Sequence, residues 1–126
     1  MITIWNSSGT VDKILKGHIH WITCICNLPG EVRIVSGSWD NTLIIWNSSG
    51  EKELTLMGYT SYVSCVNVLP GEARIISGSH DKTLIIWDFH GQINSVLEGH
   101  YDSIICIRIL PDGQIVSGSL DKTLKL

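Results

Sequence analysis

The stretch SGSHDKTLIIWD at residues 77–88 decides the fold, because close copies of it occur as SGSWDNTLIIWN at 36–47 and SGSLDKTLKL at 117–126. Trp5, Trp46 and Trp87 are spaced by 41 residues, and glycines recur with the same spacing at positions 17, 58 and 99. The aspartates of the copies, spaced by 41 and then 40 residues, are Asp40, Asp81 and Asp121. Three units therefore fill one domain of residues 1–126, approximately at 1–46, 47–87 and 88–126.

Each unit consists of short segments rich in Ile, Val and Thr, separated by clusters of Gly, Pro, Asn and Ser, which is typical of strands joined by tight turns. We label the predicted strands a to d. Strand a spans 22–28, 63–69 and 104–110, strand b spans 32–38, 73–79 and 114–119, strand c spans 42–46, 83–87 and 123–126, and strand d spans 52–56 and 92–97. Many are apolar on both faces, so the pattern predicts an all-β protein in which sheets pack between neighbouring sheets.

These repeats resemble the WD-repeat β-propeller family. The resemblance is carried by Gly17-His18, Gly99-His100, the three Ser-Gly-Ser-x-Asp sequences and Trp87-Asp88, and it spans nearly all of the chain. Three in-register copies make it highly specific. It implies four-stranded antiparallel blades arranged around a channel, with binding surfaces at the two ends, and a role as an interaction scaffold.

The resemblance also implies a buried hydrogen-bonded chain in each blade. A carboxylate of the b-to-c turn fixes a histidine of the d-to-a loop, the imidazole binds a hydroxyl of strand b, and the hydroxyl meets the Trp of strand c. Tyr59 stands where the second unit should have histidine, so we expect that network to be broken or rewired. The matching residues are His18, Asp40, Trp46 and either Ser36 or Ser38, then Asp81 and Trp87, then His100 and Asp121.

A set of Asp, His and Ser is also the composition of a hydrolase triad. Here the set recurs once per blade and ends on a buried tryptophan, whereas a hydrolase needs one exposed nucleophile beside an oxyanion site. We therefore predict a structural role and no enzyme activity.

The cysteines raise the question of a metal site, since Cys24 and Cys26 share a strand face. Cys24, Cys65 and Cys106, however, occupy the same register in different blades, which keeps them too far apart for one metal or a disulfide. We predict no metal and no cofactor.

Composition excludes several classes of partner. The formal net charge is −3 and the basic residues are scattered, which argues against nucleic acid and anionic membrane surfaces. The longest apolar runs, such as 43–46 and 104–107, fall far short of the roughly 18 residues of a spanning helix. No basic segment precedes an apolar core at the N-terminus, so we expect a cytoplasmic protein.

The number of blades presents a separate problem, because propellers typically need about 4 to 8 blades to close and this chain holds about three. If each open blade face exposed about 500 Å² of apolar surface, each face would lose about 12 kcal/mol of hydrophobic stabilisation. Either two or three copies associate into a ring of six or nine blades, or the sequence is a segment of a longer, seven-bladed propeller. In a ring, residues 2–16 would supply strands c and d to a neighbouring copy and place Trp5 beside His100 and Asp121. Residues 1–5 and 123–126 both have the pattern of strand c, so one of the two must be displaced.

The variable positions of the repeat indicate where a partner binds. The residue before each turn aspartate differs, being Trp39, His80 and Leu120, and the d-to-a loops carry His20, Trp21 and Tyr62. Exposed Trp and Tyr are typical interface anchors, although Trp21 and Tyr62 could equally cover the blade tops. We predict a protein- or peptide-binding patch made of Trp39, His80, Leu120, Trp21, Tyr62 and His20.

Overall fold

The structure, a computed structural model, describes residues 1–30, 32–71 and 73–126, and these residues form thirteen β-strands. The strands are β1 (Ile2–Trp5), β2 (Val11–Leu15), β3 (Ile22–Leu28), β4 (Arg33–Ser38), β5 (Thr42–Trp46), β6 (Lys52–Met57), β7 (Val63–Leu69), β8 (Arg74–Ser79), β9 (Leu84–Asp88), β10 (Ile93–Leu97), β11 (Ile104–Ile109), β12 (Ile115–Ser119) and β13 (Leu124–Lys125). Within this described part, no helix has the length and hydrophobicity needed to cross a membrane.

The strands form four antiparallel sheets, which confirms the predicted fold class. Sheet I is the hairpin β1-β2, sheet II is β3-β4-β5-β6, sheet III is β7-β8-β9-β10 and sheet IV is β11-β12-β13. For strands a to d, each observed strand end lies within one residue of the predicted end. The strand predicted to begin at Gln114 begins at Ile115, since the Gln114 N–H donates to Asp112 in the preceding turn at 3.0 Å. The third c strand, predicted over 123–126, is the shorter β13.

Neighbouring sheets stack face to face, which explains why the central strands are apolar on both sides. Leu43 and Leu56 of sheet II pack with Val63 and Ile85 of sheet III in one buried cluster. Ile104 and Ile107 of sheet IV pack with sheet III, and Ile2 and Leu15 of sheet I pack with Trp46 of sheet II. At about 25 cal/mol per Å² of buried apolar surface, these contacts between sheets are the main source of stability.

Sheets II, III and IV are also joined by hydroxyl groups that the sequence reasoning missed. Thr23 Oγ1 of β3 donates to the Val63 carbonyl of sheet III at 2.5 Å, and Ser64 Oγ of β7 donates to the Ile104 carbonyl of sheet IV at 2.5 Å. Thr23 and Ser64 are 41 residues apart, so the repeat spacing was a signal in the sequence for these hydrogen bonds between sheets. The hydroxyls hold successive sheets in a fixed register.

Candidate functional site

Sheet II contains a complete hydrogen-bonded chain from a carboxylate to an indole. Asp40 Oδ2 accepts from His18 Nδ1 at 2.8 Å, and the other ring nitrogen, Nε2, lies 2.8 Å from Ser36 Oγ. The Trp46 indole N–H donates to the same Ser36 oxygen at 2.8 Å, so the hydroxyl hydrogen points to His18. Ser36 is therefore the strand-b hydroxyl of the network. Ser38 instead accepts the Asp40 backbone N–H at 3.1 Å and supports the turn.

Asp40 is held as a carboxylate by its surroundings. Burial opposes its ionisation, but hydrogen bonds from the Thr42 hydroxyl at 2.6 Å, from His18 and from the Thr42 and Ile19 amides outweigh burial. Together they hold the pKa of Asp40 below its ordinary value. The threonine two residues after each turn aspartate, Thr42, Thr83 and Thr123, was not singled out from the sequence, although the pattern Asp-x-Thr occurs in all three units.

Sheet III has a rewired network with a tyrosine in place of histidine. The Tyr59 hydroxyl donates to the Ser77 carbonyl at 2.6 Å, lies 2.7 Å from Ser77 Oγ and accepts the Ile85 N–H at 3.1 Å. The Trp87 indole still donates to Ser77 Oγ at 2.8 Å. Asp81 keeps its bonds to the Thr83 hydroxyl and to the Thr60 and Thr83 amides. The phenol therefore binds the serine and the indole stays anchored, while the aspartate holds the turn and the Thr60 amide of the d-to-a loop.

Removing the Tyr59 hydroxyl by Tyr59→Phe is expected to lower the free energy of unfolding by about 1–3 kcal/mol, because its buried hydrogen bonds to the Ser77 carbonyl and the Ile85 N–H are lost while the ring packing remains. Urea unfolding followed by circular dichroism measures the loss. Tyr62→Phe, on a half-exposed ring of the same type, serves as the control and is expected to change little. A similar loss in both variants would contradict a structural role for the Tyr59 hydroxyl.

Sheet IV repeats the polar part of the network. His100 Nδ1 lies 2.7 Å from Asp121 Oδ2, and His100 Nε2 lies 2.8 Å from Ser117 Oγ. Hydrogen bonds from Thr123, Tyr101 and His100 outweigh the effect of burial and keep the pKa of Asp121 far below its ordinary value. In the part of the chain that the structure describes, no indole lies against the Ser117 hydroxyl, and Trp5 lies in sheet I.

The strand-b serines of sheets II and III have the wrong surroundings for nucleophilic catalysis. Ser36 and Ser77 are fully buried, and each accepts a hydrogen bond from an indole. A nucleophile must reach a substrate carbonyl beside an oxyanion site, which a hydroxyl sealed between sheets does not do. The geometry is that of an internal brace between strands b and c and the d-to-a loop.

A series of ring contacts runs across the end of sheets II and III. The Trp39 and Tyr62 rings are stacked, with centroids 4.4 Å apart and planes 8° apart, and Trp21 lies 4.6 Å from Trp39. His20 lies 5.5 Å from Trp39 at one side, and His80 lies 5.5 Å from Tyr62 at the other. We call these five residues the aromatic patch. Such offset and tilted ring pairs hold one another in place.

Backbone hydrogen bonds position the patch. The Trp39 N–H donates to the Trp21 carbonyl at 2.8 Å, and the His80 N–H donates to the Tyr62 carbonyl at 2.9 Å. Each bond joins a b-to-c turn to the d-to-a loop of the same sheet. Within the patch, Trp21 is 66% exposed and Tyr62 is 37% exposed, so the rings present surface to solvent.

Leu120 lies outside the series of ring contacts. Its N–H donates to the Ser103 carbonyl at 3.0 Å, in the same way as its counterparts, but Ser103 stands where sheets II and III have Trp21 and Tyr62. Leu120 is 52% exposed. The structure therefore joins five of the six predicted patch residues and leaves Leu120 as a separate apolar side chain.

The cysteines are separate thiols in three sheets. Burial raises the pKa of Cys24 and of Cys26, and it raises the pKa of Cys65 to about 12, so these thiols stay protonated at neutral pH. All four cysteines are free. Across residues 1–30, 32–71 and 73–126, no three His, Cys, Asp or Glu side chains lie close enough to hold a metal ion.

Stacked antiparallel sheets, an Asp-His-Ser-Trp brace that recurs in altered form from sheet to sheet, and loop pairs at one end define a repeat protein of the β-propeller class. The family model for the WD domain, G-beta repeat (WD40), matches residues 9–47, 50–88 and 91–126. The chain therefore belongs to the WD40 repeat family, as the resemblance implied. Members of this family are in general non-enzymatic scaffolds that bind proteins or peptides. No curated protein matches the chain.

Proposed function

We propose that this chain is a non-enzymatic scaffold that binds a protein or peptide segment on the aromatic patch. The observation that carries the proposal is the stacked pair Trp39 and Tyr62, flanked by Trp21, at the end where the d-to-a loops and b-to-c turns meet. Trp39 lies in a tight turn at the end of the sheet, where a large side chain has little core to fill. Trp and Tyr are the residues most often found at the energetic centre of interfaces.

The arrangement of the rings supports binding because the rings are already ordered. Each ring rests on the next, and the main chain beneath Trp39 and His80 is tied to the neighbouring loop. Binding then costs little side-chain entropy, since the rings need not be fixed by the partner. Leu120, at the same end of sheet IV, is a separate exposed apolar side chain that a longer partner segment would reach. The patch carries two imidazoles and no lysine or arginine, which suits a polypeptide better than a polyanion.

The test is a selection of displayed random peptides on the wild-type chain, followed by affinity measurements on a Trp21→Ala/Trp39→Ala variant. The selected peptides should bind the variant at least about tenfold more weakly, because hot-spot aromatics contribute 2 kcal/mol or more. Val32→Ala is the control, since Val32 is exposed in the a-to-b turn at the other end of sheet II. Thermal melts verify that each variant folds. Equal affinities for wild type and the double variant would mean that the patch is the wrong surface.

A further inference from the structure

The main-chain groups at the centre of the aromatic patch are already hydrogen-bonded. The Trp39 N–H donates to the Trp21 carbonyl, and the His80 N–H donates to the Tyr62 carbonyl. A segment that binds as an added β-strand needs a row of free main-chain groups along a sheet edge. These two bonds interrupt such a row, so the contacts with a partner come from the side chains.

The side chains of the patch present hydrogen-bond donors. In the described part of the chain, no acceptor binds the indole N–H of Trp21 or of Trp39, or the hydroxyl of Tyr62. No buried side-chain nitrogen of that part lacks a partner, so the Trp39 N–H is open to solvent. An indole has an N–H and no acceptor atom, so the two tryptophans can only donate to a partner.

His20 is a further donor, because the main chain fixes its tautomer. The Trp21 N–H donates to His20 Nδ1 at 2.8 Å, so Nδ1 is the acceptor nitrogen of a neutral imidazole. The hydrogen of that ring then lies on Nε2. His20 is exposed, which leaves its Nε2–H available to a partner at the Trp21 end of the patch.

The patch has no formal charge when its imidazoles are neutral. Its rings are two indoles, a phenol and two imidazoles. The carboxylates of the adjacent Asp40 and Asp81 bind threonine hydroxyls and amides of their own turns. Complementarity of charge and of hydrogen bonding therefore favours an uncharged segment that has many acceptors and few donors.

A proline-rich segment in a polyproline II helix has this pattern. Proline has a carbonyl but no N–H, and the helix forms no internal hydrogen bonds, so its carbonyls stay available as acceptors. Segments of this kind bind to grooves lined by aromatic rings. The helix is formed before binding, so it loses less conformational entropy than a flexible segment does.

The series of rings matches the length of one turn of this helix. The Trp39 ring centroid lies 4.6 Å from that of Trp21 and 4.4 Å from that of Tyr62. A polyproline II helix rises about 3.1 Å per residue and repeats every three residues, so one turn is about 9 Å long. Two prolines three positions apart lie on the same side of the helix and therefore reach both ends of the series.

We propose that the aromatic patch binds an uncharged, proline-rich segment of a partner protein as a polyproline II helix. Proline rings pack on Trp21 and Tyr62, and the carbonyls between them accept from the indole, phenol and His20 donors. The inference rests on the proposed function, because it names the class of segment that the same surface takes.

An NMR titration of the chain, labelled at its indole nitrogens, with decaproline to about 1 mM tests the proposal. The Trp21 and Trp39 indole resonances, assigned by Trp21→Phe and Trp39→Phe, should shift. The Trp46 and Trp87 resonances should stay in place, because their N–H groups bond to serines inside the sheets. Ten alternating glycines and serines, an uncharged peptide without the preformed helix, should cause no shift. An unchanged spectrum with decaproline, or equal shifts with both peptides, would overturn the proposal.

Tyr62→Phe tests the donors separately from the rings. The variant keeps the ring and removes the phenol O–H, so the dissociation constant for decaproline should rise about threefold to tenfold, the effect of one hydrogen bond. Trp5→Phe is the control, since Trp5 is 62% exposed in sheet I, outside the patch, and should leave the constant unchanged. An unchanged constant for Tyr62→Phe would overturn the role of the phenol as a donor.

Failure of this inference differs from failure of the proposed function. If decaproline does not bind, but peptides selected on the wild type lose affinity in the Trp21→Ala/Trp39→Ala variant, the patch binds polypeptides of another class. That result would overturn the polyproline II helix and leave the proposed function standing. Selected peptides that bind the variant as tightly as the wild type would overturn both.

Discussion

Asp40→Ala is expected to lower the free energy of unfolding by about 3–5 kcal/mol, because a buried charged partner is removed from a hydrogen-bonded chain. The carboxylate accepts from His18 Nδ1, from the Ile19 and Thr42 amides and from the Thr42 hydroxyl. The His18 side chain is fully buried, so its N–H would lose its short bond without access to water. Urea unfolding at neutral pH measures the loss.

Asp81→Ala is the matched comparison. Asp81 makes the same turn bonds to Thr83 and the equivalent amide bond to Thr60, but it has Tyr59 in place of histidine. Its loss should therefore be about 1–3 kcal/mol smaller than that of Asp40→Ala. Equal losses would mean that the aspartate stabilises the turn alone and that the bond to His18 contributes nothing.

Acid should reduce the difference between the wild type and Asp40→Ala. Since the folded-state pKa of Asp40 is lowered, its contribution is present above the pKa that the carboxyl has in the unfolded chain, about 4. The contribution is lost as the pH falls through the lower, folded-state pKa. The gap between the two unfolding free energies should therefore be constant near neutrality and shrink below about pH 4. A gap that persists unchanged in acid would contradict a role for the ionised carboxylate.

Gly37→Ala is expected to lower the free energy of unfolding by about 3 kcal/mol, because the added methyl has no room between sheets II and III. Its Cβ would lie 2.5 Å from Val63 Cγ1, 2.6 Å from Cys24 Sγ and 3.2 Å from Val63 Cβ. Sheet III cannot simply move away, since Thr23 holds the Val63 carbonyl. A loss of this size corresponds to roughly 10 °C in the melting temperature of a domain of this length.

Gly118→Ala is the control for the glycine prediction. It is the same position in sheet IV, but its Cβ would meet only Cys106 Sγ at 2.8 Å and Leu124 Cδ2 at 3.4 Å, both ends of side chains in its own sheet. We expect a loss below about 1 kcal/mol, because the ends of side chains can shift to make room for a methyl group. Equal losses would show that contact between sheets does not explain the glycine.

The hydrogen-bonded chain shows how far sequence reasoning extends. The family resemblance identified the histidine, the aspartate and the tryptophan of the network through their positions in the repeat motif. Ser36 and Ser38 lie on the same strand face and are both fully buried, so neither period nor burial distinguishes them. The distances distinguish them, because Ser36 Oγ hydrogen-bonds to the imidazole and the indole, whereas Ser38 Oγ accepts a backbone N–H of the turn. Likewise the sequence marked Tyr59 as a departure, but not the bond from its hydroxyl to the Ser77 carbonyl.

The aromatic patch was predicted as a set of variable positions, and only the packing of rings showed which of them form one surface. Leu120 has the same register as Trp39 and His80, and its backbone bond is equivalent, but no ring stands beside it. The repeat register predicts equivalent backbone positions. Whether side chains form one surface depends also on their length and their rotamers.

By itself the sequence determined the number of repeats, the strands and the family, because a regular spacing of glycine, aspartate and tryptophan suits only one way of stacking identical sheets. The tertiary structure alone decided which hydroxyl joins the brace and which aromatic rings stack. Those outcomes depend on distances of a few tenths of an ångström between residues of different repeats. A one-dimensional pattern does not encode such distances, since they arise when whole sheets pack against each other.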